Sequence, residues 1–198
     1  MITLYALKPR FQALLRPLTQ ALAARAVTAN QVTIAAAAGS VLVGGMVAAL
    51  ADHRAVFLLL PVWLFIRMAL NAIDGMLARE FGQKSHLGGY LNELGDVVSD
   101  AALYAPFAWL APFGGLATGI VIVLAILTEF AGVLGPVRRY DGPMGKSDRA
   151  LVIGGLGFWI GIGGVLPGWF AIVMPLLAAA LMVTVVNRVR SGLTEAGR

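Results

Sequence analysis

Asn71-Ala72-Ile73-Asp74-Gly75-Met76-Leu77-Ala78-Arg79 and Gly88-Gly89-Tyr90-Leu91-Asn92-Glu93-Leu94-Gly95-Asp96, followed by Asp100, decide the reading of this chain. They set amides and carboxylates inside segments otherwise apolar enough to cross a bilayer. Ionisable groups at that depth are costly, so by default they mark a functional site. The surrounding sequence reads as the cage that holds them.

Of the 198 residues 59% are hydrophobic and only 13% charged, with a mean hydropathy of +0.84. A soluble domain of this size could not cover so much apolar surface, which points to a polytopic membrane protein. One domain over 1–198 is the simplest division. The absence of cysteine excludes disulfides and thiolate chemistry. His53 and His86 fall in predicted loops, too far apart for a metal motif.

The predicted architecture is all-α: an amphipathic juxtamembrane helix over 1–25, then a six-helix bundle over 31–190. In 1–25, Lys8, Arg10, Arg16 and Arg25 alternate with Phe11, Leu14, Leu15, Leu18 and Leu22 at helical spacing, as expected of a helix lying on the membrane surface. The spans are expected at about 31–51, 55–79, 88–110, 116–136, 150–166 and 169–187. Of the 15 Lys and Arg, this map embeds Arg67, puts Arg54 outside and places the remaining 13 on one side. By the positive-inside rule that side is cytoplasmic, with both termini on it and the polar cavity opening towards it. Gly157 and Gly161 form a small-xxx-small pair that suits close packing, either within the bundle or in a homodimer.

Positions 67, 71, 74 and 78 share one helix face, and 92, 96 and 100 follow at spacings of four. An antiparallel hairpin centred near residue 83 levels Asp74 with Asn92, Asn71 with Asp96, and Arg67 with Asp100. Four oxygen-bearing side chains then converge in one cavity, a donor set suited to Mg²⁺, Mn²⁺ or Ca²⁺. The plainer alternative is a polar network that only joins two helices; the small Gly75, Ala78 and Gly88 argue for a cleared site. One layer deeper, Arg67 and Asp100 are expected to pair as the cavity floor, with Glu129 as a second candidate partner for Arg67.

Asp74-Gly75, Ala78-Arg79, Gly88 and Asp96 resemble the signature of the CDP-alcohol phosphotransferase family, D-x-x-D-G-x-x-A-R-x8-G-x3-D-x3-D. Val27-Thr28-Ala29-Asn30-Gln31-Val32-Thr33 is similar to that family's T-P-N-x-[IV]-T entry to the first span, with Ala29 in place of proline. Asn71 and Asn92 depart from it, standing where the first and third aspartates belong. Asn-Glu-Leu-Gly-Asp (92–96) together with Gly142-Pro143-Met144-Gly145-Lys146-Ser147-Asp148-Arg149 resembles the YnbA-like bacterial branch.

The resemblance implies displacement of CMP from a CDP-linked lipid such as CDP-diacylglycerol by an alcohol, in phospholipid biosynthesis, at a bacterial inner membrane. It implies a divalent metal, Mg²⁺ or Mn²⁺, held by Asp74 and Asp96 with Asn71 and Asn92. Asp96 is implied as ligand or general base, and Asn30, Gly75, Ala78, Arg79 and Gly88 as the frame of the cytidine diphosphate. Two asparagines remove two formal negative charges, so one tightly held metal is expected. Arg138, Arg139, Lys146 and Arg149 collect in the most basic loop; they serve either topology or a phosphorylated or polyol acceptor. Two other functions compete. A catalytically weak or inactive CDP-lipid binder is favoured by the two asparagines, and a cation transporter by the buried acids alone. Nothing points to nucleic acid.

Overall fold

The computed structural model describes residues 4–134 and 137–196, with side chains over 9–134 and 137–194. The described residues form seven α-helices and no strand: α1 (Leu4–Ala24), α2 (Ala29–Ala49), α3 (Leu59–Glu80), α4 (His86–Tyr104), α5 (Gly115–Val133), α6 (Lys146–Gly161) and α7 (Val173–Ala196). Short 3-10 turns at Arg54–Leu58, Ala105–Trp109 and Gly168–Ile172 join them at one end of the bundle. By length and composition, α2, α5, and α3 and α7 with their preceding turns are apolar enough to cross a membrane.

Local chemistry sets the helix starts. Thr28 caps α2, its Oγ1 accepting from Gln31 N–H at 3.2 Å while the Gln31 side chain accepts from Thr28 N–H at 2.9 Å. Ser85 caps α4 by accepting from Gly88 N–H at 2.9 Å. At α6, Gly145 N–H donates to Asp148 Oδ2 at 3.0 Å, so that helix begins at Lys146, within the expected loop. Lys146 and Arg149 therefore sit on its first turns. At the other terminus α7 continues to Ala196, past the expected end near 187, which makes Arg188 a helical residue.

α3 and α4 do not pack on each other as a hairpin would; each packs on α2. The cause is the row of small residues along α2. A Cβ on Gly44 would lie 2.2 Å from the Ala102 carbonyl oxygen, and one on Gly95 would lie 3.5 Å from Ala37. This close contact draws α4 onto α2 and leaves the space between α3 and α4 for polar side chains. Gly157 and Gly161 are used inside the chain, where added Cβ atoms would meet Leu60 at 3.0 Å and Leu58 at 2.6 Å.

The principal core holds Phe57, Leu60, Leu64, Leu103, Phe107, Val121, Ile153 and Leu181. Phe57, Phe107, Phe113 and Phe170 stack edge to face through it, with ring centroids 5.6, 5.7 and 6.4 Å apart. A smaller cluster of Ala29, Val32, Ile73, Met76 and Leu77 lies beneath Leu15 and Leu22 of α1. On each of five helices, moving one to two turns from the principal core reaches a buried charge: Arg67, Asp100, Glu129, Arg149 and Arg188. The polar site stands on that charged layer.

Candidate active site

Asp74 and Asp96 are buried, and α3 and α4 carry them to opposite walls of the same space. Asp74 Oδ2 accepts from Thr33 Oγ1 of α2 at 2.9 Å. Asp96 Oδ1 accepts from Lys146 Nζ at 2.5 Å and from Arg67 Nη2 at 3.1 Å. Asn71 and Asn92 are half-buried. The Asn92 amide nitrogen donates to Glu93 Oε1 at 3.1 Å, which leaves its carbonyl oxygen for another partner.

Two further contacts gather the small residues. The Arg79 guanidinium folds over Gly75, where a Cβ would lie 2.7 Å from Nη2. The Asn30 side chain covers Gly88, with Oδ1 2.8 Å from the place of a Cβ. Gln83 holds this edge together: its side chain accepts from Ala29 N–H at 2.6 Å and donates to the Val27 carbonyl at 3.4 Å. Ala78 packs against the smaller apolar cluster.

Beneath the carboxylates, Arg67 Nη1 donates to Asp100 Oδ1 at 2.6 Å. Asp100 Oδ2 in turn accepts from Arg149 Nε and Nη2 at 3.1 and 2.9 Å. Arg149 also donates to Glu129 at 2.8 Å and to Thr128 at 3.0 Å. Arg188 Nη1 donates to the Thr128 carbonyl and lies 3.8 Å from Glu129. Glu129 thus partners Arg149, with no hydrogen bond to Arg67.

The basic loop residues divide. Arg149 is fully buried, its guanidinium committed to Asp100 and Glu129. Arg139 is buried beside Gly192 of α7. Arg138 donates to Glu93 and, at 3.4 Å, to Glu129, and lies 5.5 Å from the Tyr140 ring centroid. Burial alone would lower the Arg138 pKa, but Glu93 and then Tyr140 outweigh it, so the pKa is raised and the group stays charged. The 142–149 run anchors the loop. Gly142 has φ +118 and a Cβ there would lie 2.6 Å from Thr184, while Met144 N–H donates to Thr184 Oγ1 at 3.0 Å.

The donor set fits a divalent cation. Two carboxylates and two amides supply hard oxygens, and the Lys146 ammonium on Asp96 shows that this wall accepts a cation. Among the described residues no group of three or more His, Cys, Asp and Glu side chains converges.

No family model matches the chain. The inner membrane protein YnbA of Escherichia coli (strain K12) is 47% identical over 194 residues, covering 96% of each chain. A phosphatidylinositol phosphate synthase of Mycobacteroides abscessus is 30% identical over 204 residues, covering 94% of this chain and 87% of that one. Among solved structures, Mycobacterium tuberculosis phosphatidylinositol phosphate synthase in complex with manganese and citrate superposes with a TM-score of 0.74 at 22% identity, covering 90% of this chain and 88% of that one. The same enzyme with CDP-DAG bound gives 0.73, covering 88% and 90%. Fold, motif and these relatives define an integral-membrane transferase. The chain belongs to the CDP-alcohol phosphotransferase family.

Thr33, Gln83 and Arg188 are site-building residues that the motif spacing alone does not single out. A signal for Thr33 lay in the 27–33 stretch, at the threonine that closes it. Arg188 falls just past the expected end of the last span at 187 and is helical because α7 continues to Ala196.

Proposed function

We propose that the whole chain is one domain that transfers the lipid-bearing phosphoryl group of a CDP-linked lipid, such as CDP-diacylglycerol, to an alcohol, releasing CMP. The observation that carries this is the pair of buried carboxylates, Asp74 and Asp96, with Arg79 folded over Gly75 beside Asp74. At the start of α4, Asn30 covers Gly88 in the same way, so each contact sets a polar side chain over a residue with no Cβ, as a phosphate-bearing substrate needs. The solved relative bound to CDP-DAG supports the donor, and the one holding manganese supports a divalent ion.

In this mechanism the alcohol oxygen forms a bond to the lipid-bearing phosphorus as the bond from phosphorus to the CMP oxygen breaks. That electron pair leaves with CMP. Asp96 takes the hydroxyl proton on Oδ2, because Lys146 and Arg67 hold Oδ1 and fix the plane of the carboxylate. Thr33 fixes Asp74 by donating to its Oδ2. Arg79 meets the pyrophosphate. A divalent ion, Mg²⁺ or Mn²⁺, on Asp74, Asp96, Asn71 and Asn92 would offset charge on the phosphates and the leaving CMP.

The proposed setting is a bacterial inner membrane crossed six times. α4 and α6 would complete the spans, α1 would lie on the cytoplasmic surface, and both termini and the site would face the cytoplasm. On α1, Leu14 and Leu18 are 76% and 51% exposed while Arg16 pairs with Glu80, an amphipathic division suited to an interface. Arg138, with its side chain 31% exposed, would be the loop residue that meets the acceptor.

One observation favours a second reading, a catalytically weak CDP-lipid binder: Asn71 and Asn92 leave only two carboxylates in the donor set. Purified protein with CDP-diacylglycerol, Mn²⁺ and a panel of alcohols separates the two. CMP release that disappears in Asp96→Asn supports the transferase. Bound CDP-lipid with no CMP release from any acceptor supports the binder.

A further inference from the structure

The two halves of the oxygen set stand on different helices, Asn71 and Asp74 on α3, Asn92 and Asp96 on α4. Both helices pack on α2, and their tightest contacts there lie away from the carboxylates. A Cβ on Gly39 would lie 2.2 Å from the Trp63 ring, whose Nε1 donates to Ser40 Oγ at 2.9 Å, and Gly44 meets the Ala102 carbonyl. Trp63 is about three turns from Asp74, and Ala102 is between about one and two turns from Asp96. Among the described residues, the hydrogen bonds that join α3 directly to α4 all come from Arg67.

Arg67 spans that gap from below. Its Nη1 donates to Asp100 Oδ1 at 2.6 Å, and its Nη2 donates both to Asp96 Oδ1 at 3.1 Å and to the Asp96 backbone carbonyl at 3.2 Å. The backbone contact fixes where α4 itself stands, whereas a carboxylate contact alone would follow a side-chain rotation. Arg67 is buried, and Leu60 and Leu64, on the same face of α3 before it, belong to the principal core, so its stem is anchored. The guanidinium is planar with donors at fixed spacing, so it acts as a strut of set length. Lys146, the other donor to Asp96, is 32% exposed and touches the carboxylate only. An ion such as Mg²⁺ takes its oxygens at about 2.0–2.1 Å in near-ideal octahedral geometry. An ion shared across the gap therefore depends on the width of the gap. Arg67 lies outside the motif, four residues before Asn71 begins it.

We propose that Arg67 is the positioning residue of the ion site: it sets the separation of the Asn71–Asp74 and Asn92–Asp96 halves without touching ion or substrate. This rests on the ion-dependent transferase reading, and it names the residue that makes two separately packed helices act as one site.

The test is Mn²⁺ binding to the purified full chain, followed by electron paramagnetic resonance of the free ion, with CMP release from CDP-diacylglycerol measured alongside. Arg67→Lys keeps the charge but offers one nitrogen where the site uses two. Arg67→Met combined with Asp100→Asn removes one charge of each sign and serves if the single variant fails to fold. Neither changes the net charge around the ion, so a weaker Kd reports geometry. The expected result in both is a Mn²⁺ Kd raised about 10–100-fold, the range for losing a residue that orients a metal ligand. The kcat should fall about 100-fold, as for a misplacement of about 1 Å. The KM for CDP-lipid should stay within about threefold, because Arg79 and Asn30 are untouched. A merely structural arginine gives a lower Tm with the Kd and kcat of the folded protein unchanged, and that result overturns the proposal. An unaltered protein that binds Mn²⁺ but releases no CMP with any alcohol refutes the transferase reading, while the comparison of Kd values still decides the role of Arg67. An unaltered protein that binds no Mn²⁺ removes the ion site and overturns the proposal with it.

Discussion

Replacing Asp100 by asparagine should cost the bundle far more than it costs the metal site. Asp100 is 4% exposed and accepts three hydrogen bonds from two arginines, at 2.6, 2.9 and 3.1 Å. Removing its charge leaves Arg67 with Asp96 alone and Arg149 with Glu129 alone, and those side chains are 4% and 1% exposed. Breaking a buried pair by removing one partner costs about 3–5 kcal/mol, because the uncompensated charge stays in the interior. For a chain of this size each kcal/mol lowers Tm by about 2–4 °C, so the expected loss is ~6–20 °C. Thermal unfolding in detergent, followed by tryptophan fluorescence, reads it directly. Mn²⁺ affinity of the folded protein should change less than about threefold, under ~0.7 kcal/mol. Adding Arg149→Met to Asp100→Asn removes one stranded cation and should restore part of the loss. An Asp100→Asn protein with unchanged Tm but no Mn²⁺ binding would refute the reasoning and make Asp100 a ligand.

Asp96→Asn should lower CMP release by about 10²–10⁴-fold, the range for loss of a general base, while the protein still purifies as a folded species; retained turnover removes Asp96 from the chemistry. In Gly75→Ala the new Cβ would lie 2.7 Å from Arg79 Nη2. It should push the guanidinium aside and raise the KM for CDP-lipid about tenfold with little change in kcat; an unaltered KM would separate Arg79 from the pyrophosphate. Gly44→Ala meets a backbone oxygen that cannot swing away, 2.2 Å from the new Cβ, and should cost about 1–3 kcal/mol on overpacking, seen as a lower Tm. The Arg16–Glu80 pair, with side chains 49% and 37% exposed, is screened by solvent, so Arg16→Ala should cost less than about 1 kcal/mol; a large drop in Tm would give α1 a structural role.

Much of the site was legible because helical spacing converts directly into a shared face. Arg67, Asn71 and Asp74 recur at helical intervals, and matching levels about residue 83 puts Arg67 beside Asp100, where a 2.6 Å contact is found. Thr28, within the 27–33 motif stretch, caps α2 by an equally local contact. What spacing along two helices could not supply was the third. α2 carries no charge, yet its small residues hold α3 and α4 apart, and its Thr33 reaches Asp74. The fate of the basic loop was hidden for a related reason. Net charge along a loop records how many cations there are, whereas Glu93, Asp96, Asp100 and Glu129 on other helices decide which of them are already matched. Arg149, expected in the loop as a cation for topology or for the acceptor, is the most deeply buried of the set because α6 starts at Lys146.

The charged layer also bears on how the chain is made. In the proposed six-span arrangement α4 would bring Glu93, Asp96 and Asp100 to the bilayer, and at the middle of a lone helix an aspartate costs roughly 2.5–3.5 kcal/mol. Only Arg67 precedes it from the ribosome; Arg149 and Arg188 are still to be synthesised. By the time α6 is made, Arg138, Lys146 and Arg149 have given Glu93, Asp96 and Asp100 their partners, and Glu129 already has Arg149. Arg188 adds the last cation, 3.8 Å from Glu129, so the order of synthesis matches the charges of α4 before the final helix arrives.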